Sequence, residues 1–208
     1  KRNPEKSEKP LTAERPSLKN PCKTGWQQKW LALDVTHPDL QTLADAAQRF
    51  AARWYRHNPA PSMLVIYGES GSGKTHVARA VHRFSEQARF KALEDGHWDK
   101  RGRVPSVLFL NWADTTDGFK ERHYAVVDEA LDADLLFLDD IGAEYDPSRN
   151  AANQLCRILN HREKRFTVVT TNVRPEAWPE RFDIRISDRL FRDSIIIDLS
   201  RVPSYSLR

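Results

Sequence analysis

The chain has 208 residues, 39% apolar and 30% charged, with 33 Lys and Arg against 29 Asp and Glu for a formal net charge of +4. Its mean hydropathy is −0.67, and no run approaches the roughly 20 apolar residues that a membrane-spanning helix needs. No apolar segment follows the opening Lys1-Arg2-Asn3-Pro4, so no signal peptide is expected. Two cysteines, Cys22 and Cys156, make neither a disulfide framework nor a metal-ligand spacing. The expectation is one domain in a reducing, cytoplasmic compartment. Its mild basic surplus permits nucleic-acid contact without requiring it.

Residues 1–25 are rich in Lys, Glu, Pro and Ser, and too poor in apolar groups to offset their ordering entropy. They are expected to be a basic flexible tail or linker, with the folded domain at 26–208. A helix is expected from Thr36, where Thr36 and Asp39 have capping-box spacing and Pro38 falls in the first turn. Leu40, Leu43, Ala44, Ala47, Phe50, Ala51 and Trp54 then recur at helical spacing, and Asn58-Pro59 ends the pattern. Short apolar runs follow at Met63–Tyr67, Val107–Leu110, Leu135–Leu138, Phe166–Thr170 and Ile195–Leu199. A further helix opens at Asp146-Pro147, with Ala152, Leu155, Ile158 and Leu159 inward. Buried strands alternating with helices predict an α/β fold: a parallel five-stranded sheet covered on both faces.

Directly after the first run stands Gly68-Glu69-Ser70-Gly71-Ser72-Gly73-Lys74-Thr75, a complete G-x-x-x-x-G-K-[ST] phosphate loop. The glycines let the backbone wrap so that successive N–H groups point at phosphate oxygens. Lys74 places a cation on the outer phosphates, and the Thr75 hydroxyl is a Mg²⁺ ligand. The helix from Lys74, carrying Val77, Ala78, Val81 and Phe84 inward, adds its positive N-terminal dipole. The motif predicts nucleotide binding.

The run Leu135-Leu136-Phe137-Leu138 ends in Asp139-Asp140. Paired acids at a strand's end are costly to bury unless a cation meets them. Beside a phosphate loop that cation is Mg²⁺, held by the first acid, while the second can polarise an attacking water. Thr170-Thr171-Asn172 ends the next strand, where an amide can bond the γ-phosphate or orient that water.

These residues resemble a known family. The phosphate loop with His76, the stretch Leu136-Phe137-Leu138-Asp139-Asp140-Ile141-Gly142-Ala143-Glu144, and Thr170-Thr171-Asn172 look like the AAA+ ATPases of the DnaC-like and IstB-like branch. Arg185-Ile186-Ser187-Asp188-Arg189-Leu190 is similar to that branch's arginine-finger segment. The resemblance implies an ASCE-type sheet and ATP sites shared between copies in a homo-oligomer. Asp139 would act on Mg²⁺, Asp140 on the water, and Asn172 would sense the γ-phosphate. Arg189 would reach the neighbouring site, with Arg185 the second candidate. Two departures stand out: Asp140 where many members carry Glu, and only Ser200–Arg208 after the last strand, too few for a helical lid.

The implied function is an ATPase acting on single- or double-stranded DNA, first a replicative-helicase loader and alternatively a transposition helper serving a transposase. A non-catalytic nucleotide switch and a small-molecule phosphotransferase are the rivals. Phe119 with Lys120, Arg122 and His123 suits stacking and backbone neutralisation on single strands, though a solvated loop accounts for it as well. The charged insertion 89–103, with Gly96, His97, Trp98 and Gly102, has no assigned role.

Overall fold

Five parallel strands form one sheet in the order β2-β3-β4-β1-β5. They are β1 (Met63–Tyr67), β2 (Val107–Asn111), β3 (Leu135–Ile141), β4 (Phe166–Thr171) and β5 (Ser194–Asp198). The structure, a computed structural model, describes residues 37–55, 61–94, 104–119 and 124–205. The expected tail at 1–25, Cys22, Thr36, Asn58-Pro59, Lys120, Arg122, His123, and Gly96 to Gly102 of the insertion lie outside those residues.

Each strand alternates its side chains between two cores, as the pleat demands. Leu64, Ile66, Leu135, Phe137 and Val168 face a core closed by α1 (Pro38–Tyr55) and α2 (Lys74–Glu94). Met63, Val65, Leu136, Leu138 and Val169 face the other. That second layer is built from α3 (Trp112–Gly118), α4 (Ala125–Asp132), α5 (Asn150–His161), α6 (Trp178–Phe182) and α7 (Ile184–Phe191). Burial on both faces explains why the strands read as unbroken apolar runs.

The apolar stripe of α1 is buried as its spacing predicts. Its first turn is capped by His37, whose Nδ1 accepts the Asp39 N–H at 3.2 Å. Helix α5 starts later than Asp146-Pro147 suggests. Arg149 takes φ 56°, and Asp146 caps the helix across the turn, its Oδ2 accepting the Ala152 N–H at 2.9 Å. Ala151 and Cys156 are buried along with Leu155, Ile158 and Leu159, while Ala152, expected inward, is half-buried.

Candidate nucleotide site

The phosphate loop connects β1 to α2. Gly71 and Gly73 hold φ of +78° and +102°, conformations that cost other residues strain. A side chain at Gly68 would also collide with Leu199, whose Cβ lies 2.8 Å from the position a Cβ would take. Lys74 is 6% exposed at the start of α2, and its Nζ donates to the carbonyls of Gly68 and Glu69, both at 2.9 Å. Burial pushes its ammonium below the usual lysine range, opposed by the charges of Asp140, Asp139 and Glu69. Ser72 Oγ is buried in the loop without a hydrogen-bond partner, a hydroxyl free to meet a phosphate oxygen. Ser70 and His76 are exposed, His76 just after Thr75.

The strand order sets the acids against this loop, because β4 lies between β1 and β3. Asp139 is 2% exposed; its Oδ1 accepts from the Thr75 hydroxyl at 3.1 Å and from the Thr170 hydroxyl at 2.6 Å. Asp140 sits in a break of register between Leu138 and Ile141, with φ +63°. Its amide donates to Thr170 Oγ1 at 2.8 Å, and its Oδ1 accepts from Asn172 Nδ2 at 2.8 Å. Burial raises the Asp140 carboxyl above its ordinary value; Lys74 and the Asn172 hydrogen bond work against this, while Asp139 reinforces it. Thr75 and Asp139 thus present two hard oxygens side by side. Among the described residues no group of three or more His, Cys, Asp and Glu could hold a metal. The Thr75 hydroxyl and Asp139 carboxylate are hard oxygens of the kind that suits Mg²⁺, which is held by few protein oxygens.

Sequence reasoning missed two contributors. Thr170 ties both acids to β4 through one hydroxyl. Arg181 fastens the segment after Asp140: its Nε and Nη2 donate to the Gly142 carbonyl at 3.2 and 2.8 Å, and it pairs with buried Glu144 at 3.3 Å. Glu144 in turn accepts the Gly142 N–H at 2.7 Å, while burial raises its carboxyl. Neither contact has a local sequence signal, since each joins separate elements.

Lys74, Thr75, Asp139, Asp140 and Asn172 therefore converge, and Arg189 does not join them. It lies on α7 with its Nε donating to Asn160 Oδ1 at 2.8 Å and Nη1 3.7 Å from Glu163. It helps line a cavity of about 310 Å³ with Ser62, Met63 and Arg162, at the amino ends of the strands. Arg185 instead hydrogen-bonds Asp183, which caps α7. Phe119 is 4% exposed against Trp112 and Tyr124. It is a core residue, which removes the stacking role considered for it.

The family described as "Sigma-54 interaction domain" matches residues 40–174. The chain belongs to that family. It has the P-loop AAA+ fold, with a parallel five-stranded sheet flanked by helices. Over 148 residues it is 32% identical to the DNA-binding transcriptional regulator NtrC of Bradyrhizobium sp. (strain RP501 Parasponia), covering 67% of this chain and 30% of that protein. NtrC of Rhizobium meliloti (strain 1021) is 31% identical over the same length, 29% of it covered. The chain thus spans under a third of these curated relatives. Among solved structures the DnaC helicase loader superposes with a TM-score of 0.62 at 17% identity, covering 85% of this chain and 99% of that one. DnaI gives 0.60 at 22%, covering 83% and 87%. Domain III of DnaA from Thermotoga maritima gives 0.59 at 21%, covering 80% and 64%. Among the described residues, no helix is long and apolar enough to cross a membrane.

Proposed function

We propose that this AAA+ protein binds and hydrolyses Mg²⁺-ATP as a homo-oligomer acting on DNA, in the manner of a replicative-helicase loader. The observation that carries the reading is the convergence of Lys74, Thr75, Asp139, Asp140 and Asn172 at one end of the sheet. The loop amides and Lys74 meet the phosphates, and Thr75 and Asp139 hold Mg²⁺, which when bound neutralises phosphate charge. Asp140 accepts a hydrogen bond from the attacking water, and Asn172 orients the γ-phosphate. Arg189, remote from its own loop, serves the site of the next copy. The loader role is supported by the likeness to the DnaC structure, which extends over nearly all of that chain.

A second reading, a nucleotide-driven transcriptional regulator acting through sigma-54, is favoured by the family match and the identity to NtrC. A transposition helper would share the motor and differ in partner. The test is ATP turnover per chain against protein concentration, with and without single-stranded DNA. A rate rising with concentration, and again with DNA, is expected; a flat, DNA-insensitive rate would overturn shared sites. Adding a replicative helicase, sigma-54 polymerase or a transposase then separates the three partners by which one changes turnover. Arg189→Ala should spare ATP binding and cut turnover by about 10³-fold or more; unchanged turnover would remove the finger assignment.

A further inference from the structure

Arg174 stands two residues beyond Asn172, where β4 leaves the sheet beside the start of the phosphate loop. Its backbone is held from several sides. The Gly68 N–H donates to the Thr171 carbonyl at 3.3 Å, joining β4 to the loop. The Val173 N–H donates to Thr171 Oγ1 at 3.1 Å, and buried Trp178 donates from Nε1 to the Val173 carbonyl at 2.9 Å. The Arg174 carbonyl accepts from Ala177 N–H at 2.9 Å, closing a 3-10 turn at Pro175–Ala177. The side chain is 64% exposed, and Nη2 lies 3.3 Å from Glu69 Oε1. Glu69 is the loop residue whose main-chain carbonyl also accepts from Lys74 Nζ. One loop residue therefore holds both cations, Lys74 by its backbone and Arg174 by its carboxylate.

Glu69 adds negative charge where a polyphosphate must enter. Its bridge to Arg174 is exposed at both ends, and such pairs are weak. A guanidinium on a fixed backbone, tethered only by a weak bridge, can change partner without moving the fold. Its planar fork matches two oxygens of a phosphate better than one carboxylate at 3.3 Å.

We propose that Arg174 is a phosphate-contacting residue acting in cis. Its guanidinium exchanges Glu69 for the terminal phosphate of ATP, so the Glu69–Arg174 bridge makes the site discriminate ATP from ADP. The proposal rests on the Mg²⁺-ATP reading and adds to it a residue outside the loop, the paired acids and Asn172.

The experiment titrates the full chain with a non-hydrolysable ATP analogue and with ADP by calorimetry. It compares the wild type with Arg174→Ala, Arg174→Lys, Glu69→Gln and the double variant Arg174→Ala/Glu69→Gln. Arg174→Ala should weaken the ATP analogue about 10–100-fold and ADP by less than about 3-fold. Arg174→Lys should fall between, and Glu69→Gln should tighten the ATP analogue. The double variant should stay as weak as Arg174→Ala. Restoration of wild-type affinity in the double variant would mean that Arg174 only neutralises Glu69, and would overturn the proposal. Equal losses for ATP and ADP, or none, would overturn it too. A wild type that binds neither nucleotide would overturn the underlying reading along with it, so the two failures are distinguishable.

Discussion

Lys74 and Arg162 are both buried cations that donate to main-chain carbonyls, at opposite ends of the sheet and in opposite company. Lys74 uses two bonds, both to carbonyls of a glycine-containing loop, and Asp139, Asp140 and Glu69 lie near it. Arg162 is 1% exposed. It donates to the carbonyls of Ala130, Ala133 and Phe166 at 2.9, 2.5 and 2.7 Å and to Thr167 Oγ1 at 3.1 Å. Burial pushes its guanidinium down to about 9, with Arg165 adding to the effect and Asp134 opposing it, so it stays charged at neutral pH. The difference is one of commitment. Arg162 spends its donors on the end of α4 and the start of β4, tying both to the end of α5, where it stands. Lys74 keeps a donor in reserve and borrows acceptors that a phosphate can replace.

Exchanging these roles by mutation should separate binding from folding. Lys74→Ala should weaken ATP binding by about 100-fold or more while moving stability by less than about 1 kcal/mol, read by titration and thermal melting. Arg162→Ala should do the reverse. Three carbonyls lose their donor in a buried place, for a loss of roughly 3–5 kcal/mol. At about 2–4 °C per kcal/mol the melting temperature falls by ~10 °C, with affinity kept by the folded fraction. A large affinity loss in Arg162→Ala below its melting range would break the comparison.

Asp140→Asn sharpens it at the loop end. The raised carboxyl means that the folded state binds a proton more readily than the unfolded state between the ordinary aspartate value and the raised one. Stability therefore falls as pH rises through that window, and ionised Asp140 is a cost at neutral pH. Asparagine keeps the acceptor for Asn172 and tolerates φ +63°. The variant should melt higher at pH 7 and lose about 10²-fold or more in turnover. In the wild type the acid limb of turnover against pH should lie above the ordinary aspartate value. The smallest effect is expected from Thr170→Val, which removes the hydroxyl shared by both acids: about 1–2 kcal/mol of stability, with the acid limb shifted.

The strands were largely legible. Expected and observed bounds of β1 coincide, and β4 differs only by Thr171, because strands buried on both faces read as nearly continuous apolar and β-branched runs. Helices α3, α4 and α6 were not legible: each has eight residues or fewer, too short for a helical period to stand out. The start of α5 was misplaced because its cap reaches from Asp146 across a turn whose Arg149 adopts a left-handed conformation.

By itself the sequence determined what depends on neighbours along the chain. That covers the glycines of the phosphate loop, Lys74 and Thr75 at the head of a helix, and the acid pair at a strand's end, where local backbone freedom and period decide the outcome. Tertiary structure alone decided that β4 lies between β1 and β3. It thereby set Asn172 on Asp140, Thr170 on both acids, Arg181 on Gly142, Arg174 on Glu69 and Arg189 on Asn160. Two apolar cores close on opposite faces of that one sheet. Partners 29 to 105 residues apart meet only after that closure.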